Sequence, residues 1–189
     1  LPKLASGEFL GAYSLSEAGS GTDAAAMVAK ATDDGDCYTL NGEKMWVTNG
    51  TTADLFVLFA KVTDHPDYGK KSHGGVTCFI IEKGFEGFEI GKKEDKLGIR
   101  SSDTCTLILN NCKVPKENVL GEVGKGFPIA MNALDNSRIG IAAQGLGIAQ
   151  GAYETALKYS KERETFGKPI GAHQSISNYL ADMTLKIDA

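Results

Sequence analysis

Several things are scarce in this sequence, and each scarcity excludes something. The longest unbroken apolar run is Leu55 to Ala60, six residues, against the ~20 that a membrane-spanning helix needs. No membrane span is expected. Basic residues are not in excess: 20 Lys and Arg stand against 24 Asp and Glu, for a formal net charge of −4. No nucleic-acid partner is expected, because phosphate binding calls for a basic face. The four cysteines (Cys37, Cys78, Cys105, Cys112) form no Cys-x-x-Cys, and the three histidines stand far apart. No zinc constellation emerges, so no metal is expected. Free thiols in a reducing compartment are the expectation. No signal-peptide pattern, internal repeat or low-complexity segment is visible. The chain starts at Leu1 rather than Met and stops at Ala189 inside a helical pattern, so a piece of a longer protein is expected.

What is present is a globular balance. Hydrophobic residues make up 42% and charged residues 23%, which excludes disorder by composition. At ~150 residues per domain, 189 residues allow one domain and part of another. The expected architecture is a β domain, a small barrel or sandwich, over residues 1–120. The first two α-helices of an incomplete helical bundle follow over 121–189. In the first part, short apolar runs alternate with turn signals. Cys37 to Leu40, Asn41-Gly42 and Glu43 to Thr48 read as a hairpin with a two-residue turn. Leu55 to Lys61, Val76 to Ile81 and Thr104 to Leu109 read as further strands. From Phe127 the apolar positions follow a helical spacing, through Ile129, Leu134, Ile141, Leu146, Ala149, Tyr153, Ala156 and Leu157. Gly140, Gly145, Gly147 and Gly151 interrupt this helix at ~1 kcal/mol each, for which close approach of another helix or a ligand is the usual compensation. The helix is expected to end near Phe166-Gly167-Lys168-Pro169, and a second to open near Gly171. Their apolar surface exceeds what two helices bury, so missing chain or another subunit should cover them.

Four segments could carry chemistry. Tyr13 to Asp23 reads as a strand running into a loop of glycines and hydroxyls. It is either an ordinary Ser/Gly turn or a loop whose N–H and OH donors meet a phosphate or flavin edge. Lys44 to Gly50 holds the single Trp, at a strand end beside Thr48 and Asn49. That Trp is either core or the wall of a planar ring. Asp135 and Arg138 stand at i and i+3, as a surface ion pair or, on so apolar a helix, a less exposed one. Arg163 to Ile170, with His173-Gln174 behind, sets cations at a helix corner. They either complement the helix dipole or bind a pyrophosphate.

In this order, the four segments resemble the acyl-CoA dehydrogenases through nearly the whole chain. Leu15-Ser16-Glu17, Gly21-Thr22-Asp23 and Ala26 fit the family's first signature. Ser14 stands where Gly, Ala or Cys is usual, and Ala18 where Pro is common. Leu40 to Gly50 is similar to the second flavin segment. Lys96 to Ser102 and Val114 to Gly121 are similar to the linker strands. Arg163 to Gly167 and Gln174 are similar to the flavin contacts carried across the dimer.

The resemblance implies FAD as cofactor. Tyr13, Leu15, Ser16, Gly21 and Thr22 would line the isoalloxazine and pyrophosphate. Trp46, Val47 and Thr48 would cover the ring, with Thr48 near N5. Arg163, Thr165, Phe166 and Gln174 would reach the FAD of a neighbouring subunit. Thr22, Asp135 and Arg138 would touch the acyl-CoA. The reaction implied is α,β-dehydrogenation of an acyl-CoA thioester, short-chain and butyryl-CoA-like, in fatty-acid β-oxidation. Electrons would pass to an electron-transfer flavoprotein, and the assembly would be a homotetramer in the cytoplasm or the mitochondrial matrix. No residue of this chain fits the catalytic base. Some family members place a Glu just before the helix Arg, but that position is Ser137. The base Glu is expected beyond Ala189, and the chain alone is expected to be inactive. An acyl-CoA oxidase or nitroalkane oxidase on the same scaffold, or a non-catalytic flavin-binding module, are the alternatives.

Overall fold

The structure, a computed structural model, describes residues 2–189. A short helix α1 (Pro2–Ala5) precedes β1 (Gly11–Ser14), β2 (Lys30–Asp33), β3 (Cys37–Thr48) and β4 (Leu55–Val62). Then come β5 (Val76–Glu82), β6 (Phe88–Lys93), β7 (Thr104–Pro115) and β8 (Val119–Leu120). The eight strands form one sheet in the order β6-β7-β3-β2-β4-β5-β8, with β1 alongside β4. β4 runs parallel to β1 and β2, while the other pairings are antiparallel.

Alternation along the strands builds two cores. Phe56, Leu58 and Ala60 of β4 join Phe79 and Ile81 of β5 in one cluster. The intervening Phe59 joins Val76 and Cys78 in the other. Both faces of β4 are covered, which is why it reads as a continuous apolar run. Each fully buried Phe contributes about 1.5–3 kcal/mol. Leu15, Ala24, Met27 and Ala130 complete the second cluster, with Phe127, Ile129 and Met131 packed on it. All four cysteines are free thiols. Burial pushes Cys78 up to about 12 and Cys112 up to about 11.

The expected hairpin turn at Asn41-Gly42 is not formed. β3 runs through both residues, antiparallel to β7 from Cys37 opposite Pro115 to Thr48 opposite Thr104. The register shifts between Leu40 and Gly42, where Gly42 holds φ +146. A Cβ there would stand 2.8 Å from Ala29. Asn-Gly thus marks a bulge pressed against neighbouring chain rather than a chain reversal. The reversal comes earlier, between β2 and β3, where Asp34 N donates to Cys37 O. Gly35 there has φ +90, and its N–H donates to the Asp33 carboxylate at 2.9 Å. Long pairing with β7 overrides the local Asn-Gly preference.

After β8 comes the helix α2 (Gly126–Glu162), then the antiparallel pair β9 (Glu164–Thr165) and β10 (Lys168–Pro169), and α3 (Gln174–Asp188). α2 ends before the expected Phe166–Pro169 stop. Those residues turn the small hairpin instead, with Phe166 at φ +53 and Gly167 at φ +77. One compact unit ends at Asn132 and another spans Ala133–Ala189. The first turns of α2 therefore belong with the sheet, past the change expected at 120/121. Their apolar residues Phe127, Ile129, Ala130 and Met131 pack on the second cluster.

In the second unit Ser160 is the one buried residue among those described. Ile139, Ile141, Leu146 and Ile148 are exposed. A Cβ added at Gly140, Gly145, Gly147 or Gly151 would meet nothing within 4 Å. Close packing does not compensate these glycines within the unit. Among the described residues no helix is long and apolar enough to cross a membrane.

Candidate functional site

The loop after β1 is fixed by a buried ion pair. Lys44 Nζ on β3 donates to Glu17 Oε1 at 2.7 Å and to Leu15 O at 3.0 Å. Lys44 is fully buried and Glu17 nearly so. The Glu17 carboxylate also accepts from Val28 N at 2.6 Å and Ala29 N at 3.2 Å. The Glu17–Lys44 pair thereby holds both ends of the segment 15–29, the ammonium at Leu15 and the carboxylate at Val28 and Ala29. Burial pushes the Lys44 ammonium below its ordinary range, and Glu17 opposes that shift. Inside the loop, the Glu17 and Ser20 backbones exchange hydrogen bonds at 2.9 and 3.1 Å. The Ser20 hydroxyl donates to Asp23 O at 2.9 Å.

A second bulge aims the end of β3. Met45 N donates to Ser16 O at 2.9 Å instead of into the β7 ladder, and the register shifts between Lys44 and Val47. Trp46 sits in this bulge with φ +55, an uncommon conformation for so large a residue. The extra residue shifts the alternation, so Lys44 and Val47 are both buried while Trp46 and Thr48 are exposed. Trp46 is 58% exposed. Asp103 secures the following turn. Its carboxylate accepts from Thr51 N at 2.8 Å and from the Thr51 hydroxyl, and its carbonyl accepts from Asn49 N at 3.1 Å.

The structure therefore brings the Tyr13–Thr22 loop against the Trp46–Thr48 strand end, within one unit. The Tyr13 hydroxyl donates to Ala130 O at 3.3 Å, and its ring lies against Phe59. Burial, then the nearby Cys78, pushes this hydroxyl up to about 12. Gly21 and Thr22 are exposed. Leu15 and Val47 lie in the cores, so only their backbones can meet a ligand. The Ser14 hydroxyl is fully buried with no hydrogen-bond partner, at the position where the resembling family carries Gly, Ala or Cys.

The remaining candidates belong to the second unit. Asp135 and Arg138 form an i,i+3 ion pair at 3.2 Å with side chains 75% and 70% exposed. The expectation of a less exposed pair is corrected, because within its unit this stretch of α2 has no covering layer. Arg163 follows the end of α2 and is exposed. The Thr165 hydroxyl lies 3.1 Å from His173 Nε2. Phe166 is 96% exposed, edge-on to His173 at 6.0 Å, and Gln174 opens α3.

Sequence reasoning gave no role to Glu17, Lys44 or Asp103. One signal was available: Lys44 stands in phase with the inward-facing Tyr38 and Leu40 of β3. A lysine on the buried face of a strand calls for a buried acidic partner. Which carboxylate answers it depends on loop closure across 27 positions.

Comparison with known proteins agrees with this architecture. Residues 12–112 match the acyl-CoA dehydrogenase middle domain, and residues 124–189 the acyl-CoA dehydrogenase C-terminal domain. The chain belongs to the acyl-CoA dehydrogenase family. It is 50% identical to a short-chain-specific acyl-CoA dehydrogenase of Clostridium acetobutylicum over 100% of this chain and 48% of the relative. Among solved structures it is similar to butyryl-CoA dehydrogenase from Megasphaera elsdenii, with 51% identity and a TM-score of 0.92 over 98% of this chain and 48% of that one. It is also similar to an acyl-CoA dehydrogenase from Bacillus anthracis complexed with FAD, with 41% identity and a TM-score of 0.91 over 99% of this chain and 32% of that one. The chain spans about half the length of the curated relatives it matches.

Proposed function

We propose that this chain carries the flavin-binding face of an FAD-dependent dehydrogenase that converts a short-chain acyl-CoA to its α,β-unsaturated thioester. The observation that carries this reading is the Met45–Ser16 hydrogen bond, which sets the Tyr13–Thr22 loop beside the exposed Trp46 and Thr48. The residues fit a planar cofactor rich in acceptors. Trp46 offers an uncovered aromatic face. The hydroxyls of Ser16, Thr22 and Thr48 make no hydrogen bond among the described residues. When bound, FAD supplies the acceptor for the hydride leaving the β carbon.

The chain's own residues do the positioning. Ser16, Gly21 and the backbones of Tyr13 and Leu15 hold the flavin, Trp46 and the Val47 backbone wall its ring, and Thr48 donates a hydrogen bond where negative charge grows. Thr22 orients the acyl-CoA, with Asp135 and Arg138 assigned to its channel. Arg163, Thr165, Phe166 and Gln174 hold the flavin of a neighbouring copy. Ser137 is no base near neutral pH, and its hydroxyl donates to Leu134 O at 3.1 Å. Removal of the α proton falls to a carboxylate outside these 189 residues. The uncovered apolar residues of α2 support assembly, which we assign as a tetramer. The family resemblance supports an electron-transfer flavoprotein as the acceptor of the electrons. Free thiols fit the cytoplasm or the mitochondrial matrix.

The test is anaerobic mixing of the FAD-loaded, full-length protein with butyryl-CoA. The flavin band should bleach, and the 189-residue chain alone should show no bleaching. A full-length protein that retains FAD and stays oxidised would overturn the dehydrogenase reading. Rapid reoxidation of the bleached flavin by oxygen would favour an oxidase.

A further inference from the structure

Two consecutive residues of β3 grip two consecutive carbonyls of the loop after β1. The Lys44 side chain donates from Nζ to Leu15 O at 3.0 Å, and the Met45 backbone donates from N to Ser16 O at 2.9 Å. Both carbonyls lie past the end of β1, whose pairing with β4 stops at Ser14 opposite Leu58. β3 itself slips against β7 at this point, between Lys44 and Val47. Among the described residues no strand pairing joins Leu15 and Ser16 to β3. The two grips hold them instead. Tyr13 to Ser16 on one side and Trp46 to Thr48 on the other lie within three residues of these hydrogen bonds.

Stability alone does not call for a lysine here. The Lys44 side chain is fully buried, and a buried ion pair generally stabilises a fold no more than well-packed apolar side chains of similar volume. Methionine fills about the same space without burying a charge, but it cannot donate to Leu15 O. The Glu17 carboxylate supplies the counter-charge at 2.7 Å and fixes the far end of the loop through Val28 N and Ala29 N. The near end, beside the candidate flavin contacts, depends on Lys44.

Resting on the flavin reading above, we propose that Lys44 is a positioning residue for the flavin. Its hydrogen bond to Leu15 O sets the spacing between the Tyr13–Thr22 loop and the Trp46–Thr48 strand end, so that Ser16 and Thr48 serve one ring together. Lys44 is no catalytic residue, because it acts through Leu15. A misplacement of about 1 Å far from the reacting atoms can slow a reaction about a hundred-fold, so the loss of this bond should appear in rate before it appears in stability.

The experiment separates the two with variants of the FAD-loaded, full-length protein. Glu17→Gln keeps the bond from Lys44 to Leu15 O but leaves the ammonium without its counter-charge, so it should be the less stable in urea. Glu17→Gln/Lys44→Met loses the bond but buries no charge, so it should be the more stable. Function should run in the opposite order. Flavin bleaching by saturating butyryl-CoA should stay within about two-fold of wild type in Glu17→Gln and fall about ten-fold in the double variant, with the half-saturating concentration changed by less than about two-fold. The visible circular dichroism of bound FAD, read without substrate, should match wild type in Glu17→Gln and differ in the double variant. A double variant that keeps the wild-type rate or the wild-type dichroism overturns the inference. Rates that follow stability, with Glu17→Gln the slower, assign the pair to the fold alone and also overturn it. If Glu17→Gln does not fold, the comparison of the double variant with wild type decides. If butyryl-CoA bleaches not even the wild type, the dehydrogenase reading fails and the dichroism decides: a changed spectrum in the double variant supports the positioning role, and an unchanged one overturns it.

Discussion

The two compact units differ in what they bury. The sheet unit buries aromatic and aliphatic side chains on both faces of β4, and it encloses even a lysine by giving it a carboxylate. The helical unit from Ala133 onward exposes Ile139, Ile141, Leu146 and Ile148 and buries little beyond Ser160. A helix apolar around much of its circumference is stable when other layers cover it. The first unit thus supplies its own rigidity, and the second has the surface of an element built to be covered. The candidate flavin face lies in the self-sufficient unit, where a clamp can hold it within the precision that a reacting cofactor needs.

Substitutions should separate the two units sharply. Glu17→Ala leaves Lys44 buried without its partner and should cost about 3–5 kcal/mol in urea unfolding of the sheet unit. The double change Glu17→Gln/Lys44→Met should cost much less than that. Equal losses would remove the ion pair from the account. Phe79→Ala should cost about 3–5 kcal/mol, whereas Ile139→Ala in the 189-residue chain should stay within about 0.5 kcal/mol. A large loss from Ile139→Ala would show that α2 is already covered there.

Smaller effects sharpen the contrast. Arg163→Ala should leave stability alone and weaken FAD binding by the full-length protein by about 1.5–3 kcal/mol, the value of a charge-assisted hydrogen bond. Unchanged FAD affinity would take Arg163 out of the site. Ser14→Ala should stabilise the sheet unit by about 1 kcal/mol, because the buried hydroxyl has no partner to lose. Destabilisation there would reveal a partner for it.

Much of this was legible in the residues. The runs Leu55–Lys61 and Val76–Ile81 became β4 and β5 almost to the residue, since strands buried on both faces leave unbroken apolar sequence. The ordered motifs from Leu15 to Gln174 led to the family. The Asn41-Gly42 hairpin misled, because a bulge and a turn make the same demand on a glycine, and only the pairing of β3 with β7 distinguishes them. The Glu17–Lys44 clamp was hidden for a related reason. Each residue lies in a recognisable motif, but their contact exists only after the loop closes onto β3. The exposure of Trp46 likewise follows from a one-residue slip in register, which composition does not encode.

The central claim is that the Tyr13–Thr22 loop and the Trp46–Thr48 strand end form one flavin face. Amide hydrogen exchange of the full-length protein, with and without FAD, tests it most directly. The account predicts that FAD raises protection at 13–22 and 46–48 together, while the Leu55–Val62 strand, already buried, changes little. Protection of one segment without the other, or of neither, would contradict it.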